Sequence, residues 1–125
     1  MIKKTILKLM MSFVSFLFLI GFASSISISS CGTISSPGDY TLSNNLIVYP
    51  QNVSSGKCIS ILASNVSFDC QGYKISDYSV GSSSIMISSN SQNTTIKNCN
   101  MVTYYGTAIG LSGASNSAVL NYTKP

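Results

Sequence analysis

The sequence predicts an all-β fold, a parallel solenoid of about four coils that follows an N-terminal signal helix. Three observations lead to it: a repeat of about 24 residues, short alternating apolar runs divided by Ser, Asn and Gly, and no run of helical period beyond the N-terminus. Such a repeat indicates stacked units rather than a globular fold with one centre. Short β-prone runs interrupted by turn residues indicate strands rather than helices.

The repeat is clearest in the C-terminal half. Three apolar positions recur one repeat downstream, namely Ile85, Ile87 and Ile96 as Ile109, Leu111 and Leu120. A looser copy lies one slightly longer repeat upstream, namely Ile59, Ile61 and Phe68. One unit cannot bury its apolar face alone, but units stacked at strand spacing (~4.8 Å) can. We therefore expect Phe68, Ile96 and Leu120 to stack on one another.

Residues 1–25 have the composition of a secretory signal peptide. Lys3, Lys4 and Lys8 precede an apolar segment from Leu9 to Ala23, and small residues follow. Charge, apolar segment and small residues in that order are typical of exported proteins. We expect cleavage near Ser25, which leaves residues 26–125 as one repeat domain and places it outside the cell or at its surface.

Two other interpretations of this segment remain open. The first is that the segment is not cleaved and anchors the protein in a membrane, which would be its one contact with a membrane. Against this, the apolar segment of about 15 residues is shorter than the ~20 that span a bilayer. The segment from Ile28 to Cys31 also has the apolar–small–small–Cys form of a lipid-attachment site, although Cys31 lies well beyond the apolar segment.

The charge of the domain changes once the signal is removed. The whole chain carries +4, but three of its seven basic residues lie in the signal, so four lysines and three aspartates remain, a net charge of +1. A near-neutral domain without Arg lacks the basic surface that nucleic acid requires. We expect no nucleic-acid partner.

Four cysteines follow the signal, and an even number in a small exported domain indicates disulfides. Four cysteines allow three pairings. Bonded Cα atoms lie ~4.4–6.8 Å apart, which neighbouring coils provide. We favour Cys31–Cys58 and Cys70–Cys99, because the members of each pair are separated in sequence by about one coil. The metal alternative lacks CxxC spacing and His.

Four sequons could carry glycans in an exported chain, at Asn52, Asn65, Asn93 and Asn121. The alternative is that Asn occupies these places as a turn residue, since Asn65 and Asn93 precede strands at matching positions.

The segments Cys31 to Leu42, Cys58 to Ile75 and Thr94 to Met101 resemble right-handed parallel β-helix repeats of secreted archaeal and bacterial surface proteins. These belong to the broad pectin-lyase-like group, and the periplasmic copper-binding β-helix family, which serves nitrous oxide reductase maturation, carries similar repeats. The resemblance implies a right-handed β-helix over the mature chain, but little about function, because the group spans enzymes, adhesins and structural proteins.

In such a fold the alternating apolar residues fill the interior and Asn98 is a candidate for a hydrogen-bonded asparagine ladder. The expected interior comprises Tyr40, Leu42, Leu46, Val48, Ile59, Ile61, Val66, Phe68, Ile75, Ile85, Ile87, Ile96, Met101, Ile109, Leu111 and Leu120. We expect Asp69 to point outward and Asp77 to begin a loop as a solvated acid.

The composition argues against catalysis. The chain has no His, Arg or Glu, and its three Asp residues form no paired-carboxylate motif of the kind that glycoside hydrolysis needs. Calcium binding by Asp69 and Asp77 has no repeated acidic loop to support it, and copper binding would depend on Met86 and Met101 alone. We expect no enzyme, no cofactor and no metal.

A binding or structural role fits this sequence better than catalysis. A flat β face that displays Ser, Thr, Asn and Tyr suits glycans or other cell-envelope components, and Tyr78, Tyr104 and Tyr105 are candidates for stacking on sugar rings. A strand pattern that continues almost to Pro125 also predicts exposed strand edges and end-to-end self-association. The alternative is the N-terminal fragment of a longer carbohydrate-active enzyme.

Overall fold

A computed structural model describes residues 2–17, 24–49, 56–78, 85–103 and 106–124. These ranges contain one helix and twelve short strands, which follow one another in this order: α1 (Ile2–Leu17), β1 (Ile26–Ile28), β2 (Gly32–Ile34), β3 (Gly38–Leu42), β4 (Leu46–Val48), β5 (Lys57–Ile61), β6 (Val66–Asp69), β7 (Lys74–Asp77), β8 (Ile85–Ser89), β9 (Thr94–Lys97), β10 (Asn100–Thr103), β11 (Thr107–Leu111) and β12 (Ala118–Leu120).

The strands form three parallel sheets. Sheet A has the order β1-β3-β6-β9-β12, sheet B the order β11-β8-β5-β2, and sheet C the order β10-β7-β4. From β3 onward the chain runs through sheets A, C and B in that order and then begins again. The prediction of a mostly β chain with parallel pairing is therefore confirmed.

All three sheets contribute to one core. Its fully buried members include Phe68 and Ile96 from sheet A, Ile87 from sheet B, and Ile75 and Met101 from sheet C. Most of the expected interior is buried, namely Tyr40, Leu42, Leu46, Val48, Ile59, Ile61, Val66, Phe68, Ile75, Ile87, Ile96 and Met101. The exceptions lie in β8, β11 and β12, where Ile85, Ile109 and Leu111 are half-buried and Leu120 is exposed.

The register confirms one part of the predicted stacking and corrects another. Phe68 pairs with Ile96, as expected, but the residue that pairs with Ile96 in β12 is Val119. The prediction for Leu120 is therefore wrong, because Leu120 pairs with Lys97 and is 49% exposed. A shift of one residue moves a side chain to the opposite face of its strand.

In sheet B the observed register differs from the predicted one by two residues. The prediction that Ile85 is equivalent to Ile59 and Ile109 is wrong, because Ile87 pairs with both of them. The reason is that the spacing between paired strands is not constant: the chain takes a longer path from Ile59 to Ile87 than from Ile87 to Ile109. Connections of unequal length between the strands account for the difference.

Asparagines at the ends of the sheet A strands adopt left-handed backbone conformations. Asn65 and Asn93, which precede β6 and β9, have φ of 59° and 54°, and Asn98 and Asn121, which follow β9 and β12, have φ of 55° and 50°. Asn tolerates this region better than most residues because its side chain hydrogen-bonds locally. The local conformation therefore explains why Asn occupies these turns.

The side chains of these residues form ladders between strands. Asn121 Nδ2 donates to Asn98 Oδ1 at 3.2 Å, and Asn98 Nδ2 donates to Asp69 Oδ1 at 2.9 Å. At the amino ends of the sheet A strands, Asn93 Nδ2 donates to Asn65 Oδ1 at 2.9 Å. The predicted ladder through Asn98 is confirmed, and it continues onto a carboxylate.

Two disulfides join neighbouring strands of the stack. Cys31 bonds to Cys58 with a Cα–Cα distance of 4.6 Å, and Cys70 bonds to Cys99 at 4.9 Å. Cys31 immediately precedes β2, which pairs with β5, and the second bond joins the turns after β6 and β9. Both predicted pairings are confirmed.

The N-terminal segment contains α1, and its described side chains are exposed, among them Ile2 at 76% and Leu7 at 62%. Within the described part of the chain, no helix is both long and apolar enough to cross a membrane.

Candidate functional site

Two exposed tyrosines lie side by side at the carboxyl ends of two neighbouring strands of sheet C. Tyr49 directly follows β4 and Tyr78 directly follows β7, and the preceding residues Val48 and Asp77 pair in register. The backbone N–H of Tyr78 donates to the Val48 carbonyl at 3.2 Å, so the pairing continues to the base of the two rings. The side chains are 42% and 50% exposed. Neighbouring strands place them about 4.8 Å apart along the sheet.

Of the three tyrosines predicted to stack on sugars, the structure describes one. Tyr78 lies on the surface, as expected of a residue that contacts a ligand, whereas Tyr104 and Tyr105 lie outside the described residues. Tyr49 was not among the predicted residues. A signal for it exists, because Tyr49 precedes Tyr78 by the same separation that lies between the paired residues Leu46 and Ile75.

The outer face of sheet C adjoins the tyrosine pair. Ile47, which is 50% exposed, pairs with Ser76, and Ser76 pairs with the half-buried Val102. At the far end of the same sheet, Asn45 Oδ1 accepts a hydrogen bond from the Lys74 backbone N–H at 2.8 Å. Ser76 is only 5% exposed, so the strip beside the rings is apolar at its surface. Exposed aromatic rings beside an apolar residue can stack on the C–H face of a sugar.

The three aspartates occupy different environments. Asp39 is exposed on β3, and Asp69 is half-buried at the end of β6. Asp77 is 1% exposed at the end of β7, so the prediction that it is a solvated acid in a loop is wrong. It pairs with Val48 and Thr103, and Val48 is itself buried, which places Asp77 on the interior side of sheet C.

Asp69 is held by several donors. Burial raises the pKa of its carboxyl, but the hydrogen bond from Asn98, the 2.8 Å hydrogen bond from the Gln71 backbone N–H and the charge of Lys97 together lower that pKa below 3.8. Lys97 Nζ lies 3.7 Å from Asp69 Oδ2. The carboxylate thus caps the asparagine ladder and serves the fold.

The cysteines and the two methionines beyond the signal segment have structural roles in the described chain. All four cysteines are in disulfides, and among the described residues no group of three or more His, Cys, Asp or Glu could hold a metal ion. Met86 and Met101 are both fully buried in the core.

Three of the four sequon asparagines lie on the described surface. Asn65, Asn93 and Asn121 are exposed, but the Nδ2 atoms of Asn93 and Asn121, where a glycan would attach, donate to neighbouring side chains. Asn52 lies outside the described residues.

Comparisons with protein-family models, with curated proteins and with solved structures found no match to this chain.

Proposed function

We propose that this chain is an exported, non-catalytic β-helix module at the cell surface, and that it binds carbohydrate through the Tyr49 and Tyr78 pair. The observation that carries the proposal is the exposure of two tyrosines on adjacent, in-register strands. A single tyrosine can stack on one sugar ring. Two tyrosines on neighbouring strands form a longer platform, which can contact more than one sugar ring of a polysaccharide.

The proposed fold is a right-handed parallel β-helix of about four coils, similar to those of the pectin-lyase-like group. The recurring A, C, B order of the strands supports it, since each cycle adds one strand to each sheet. The right hand is favoured by the general rule that parallel strands are joined by right-handed connections in ~98% of cases.

Export is supported by the covalent structure. Two disulfides in a domain of this size are consistent with an extracellular protein, because reducing compartments keep thiols free. The charge pattern of residues 1–25 supports the same conclusion.

The test is binding of the secreted full-length product to soluble polysaccharides. We would use affinity electrophoresis against a neutral glucan, a mannan and polygalacturonate, and follow binding by tyrosine emission, which is usable because the chain has no Trp. We expect at least one polysaccharide to bind, and Tyr78→Ala to weaken that binding about tenfold, equivalent to a loss of about 1.4 kcal/mol.

Tyr73→Ala is the matched control. Tyr73 is 37% exposed but precedes β7 rather than following it, five residues from Tyr78 and therefore about 16 Å along the strand. Its removal should leave binding unchanged. If none of the three polysaccharides binds, or if Tyr78→Ala binds as tightly as the unmodified chain, the carbohydrate proposal is wrong.

A further inference from the structure

One interior column of side chains runs the full height of sheet A. Successive register pairs link its members in the order Ile26, Tyr40, Phe68, Ile96 and Val119. The three middle members are buried, at 6%, 0% and 0% exposed, whereas Ile26 is 51% exposed and Val119 is 36% exposed. The two end members thus belong to the core by position and are exposed because they terminate the described stack.

The terminal strands are short, with three residues each, but they lack two other protections of sheet edges, charge and proline. Edge strands normally carry Lys, Pro or a bulge that prevents pairing with another chain. The sequences of β1 and β12 are Ile-Ser-Ile and Ala-Val-Leu, which contain neither a charge nor a proline. Each of these strands pairs with one neighbour among the described strands, and no described strand covers its other edge.

A surface depression lies near each end of the described set of strands. Near β12, a depression of about 550 Å³ is lined by residues that include Ile109, Leu111, Val119 and Tyr122, together with one charged residue, Lys124. Near the opposite end, a depression of about 600 Å³ is lined by residues 29–31 and 44–47, with Ile47 half-exposed there. The end at β12 therefore offers apolar surface beside an open edge, whereas the opposite end offers mainly Ser and Asn with the exposed Ile47.

We propose that these ends bind each other between two copies of this chain, so that β12 of one copy pairs in parallel with β1 of the next and Val119 lies against Ile26. This inference rests on the stacked fold proposed above and is independent of carbohydrate binding. In this arrangement the interior column continues across the junction, from Ile96 and Val119 to Ile26 and Tyr40 of the second copy.

The geometry favours this head-to-tail contact over a two-fold one. A two-fold axis across the end of the stack would make the strands antiparallel and would exchange the positions of two of the three sheets. Sheets B and C have four and three strands of different lengths, so exchanging them would misalign the edges. A head-to-tail contact that continues the stack along its own axis does not return to the first copy, so it adds copies without limit.

The experiment is sedimentation velocity of the secreted product over a range of concentrations. We expect a sedimentation coefficient that rises continuously with concentration for the unmodified chain, and a constant monomer value for Val119→Lys and for Ile26→Lys. Leu120→Lys is the matched control, because it makes the same change in the same strand on the outer face, and it should associate normally. Thermal melting of each variant establishes that it is folded.

Mixing the two blocked variants gives the decisive result. Val119→Lys retains a free β1 end and Ile26→Lys retains a free β12 end, so an equimolar mixture should form a dimer and nothing larger. The proposal is overturned if the unmodified chain stays monomeric from micromolar to millimolar concentration, if either folded blocked variant associates like the unmodified chain, or if the mixture stays monomeric. Polysaccharide binding by the same samples tests the proposed function separately.

Discussion

The hydroxyl groups of Ser89 and Thr94 lie 3.1 Å apart across the turn between β8 and β9, and both side chains are buried. In the register, Ser89 pairs with Ile61 and Thr94 pairs with Val66, so two hydroxyls occupy positions that are apolar in the preceding strands. The two hydroxyls hydrogen-bond each other inside the core, and Ser89 Oγ also accepts from the Ser91 backbone N–H at 3.3 Å.

We expect the two hydroxyls to be energetically coupled. Ser89→Ala or Thr94→Val alone leaves a buried polar group with a lost partner and should cost about 1–3 kcal/mol of unfolding free energy. The double variant should cost less than the sum, because both members of the pair are removed together. Urea unfolding of the four proteins measures the coupling, with Thr95→Val as a half-buried control; strictly additive costs would contradict it.

Acid should weaken the Asp69 contribution to stability. The pKa of this carboxyl is lowered in the folded chain, so the stabilisation is fully present above the ordinary value of 3.8 and is lost as the pH falls through the lower folded value. Asp69→Asn can still accept from Asn98 but carries no charge, so the stability difference between the two proteins should shrink as the pH drops below 3.8. Chemical unfolding across that pH range checks this, and a difference that grows on acidification would refute it.

The disulfides should differ in how readily they are reduced. They close loops of similar length, with sequence separations of 27 and 29. Loop entropy therefore predicts a similar stabilisation of about 3.6 kcal/mol each. Cys70 and Cys99 are both buried, whereas Cys31 is half-buried. Brief treatment with a thiol reductant, followed by alkylation and peptide mass mapping, should label Cys31 and Cys58 first. Simultaneous labelling of all four residues would contradict this order.

The C-terminal strands should open first. All three residues of β12 are exposed and β11 is largely half-buried. Neither strand is joined by a disulfide, because one bond links the residue before β2 to β5 and the other links the turns after β6 and β9. Local opening costs least where buried contacts are fewest. Hydrogen-exchange mass spectrometry at a concentration where the chain is monomeric should show faster exchange in residues 107–120 than in residues 58–69; equal rates would contradict this.

Local chemistry made several features readable from the sequence. Alternating Val66 and Phe68 revealed a strand with one buried face, cysteine separations near one repeat indicated the disulfide pairing, and Asn98 in a turn indicated a ladder. Each of these features depends on residue type and on short-range periodicity, and neither depends on the exact alignment of one strand with the next.

Alignment between strands was decided by the tertiary structure. The side-chain period of a strand is two, so a one-residue difference in a connection exchanges Val119 for Leu120 on the interior face. An average repeat length taken from the sequence cannot reveal a one-residue difference in a connection, because the number of residues between paired positions varies. Leu46 and Ile75, which pair in sheet C, are farther apart in the chain than Ile87 and Ile109, which pair in sheet B. The burial of Asp77 and the alignment of Tyr49 with Tyr78 follow from the same long-range register, which the sequence specifies only through the packing of the whole stack.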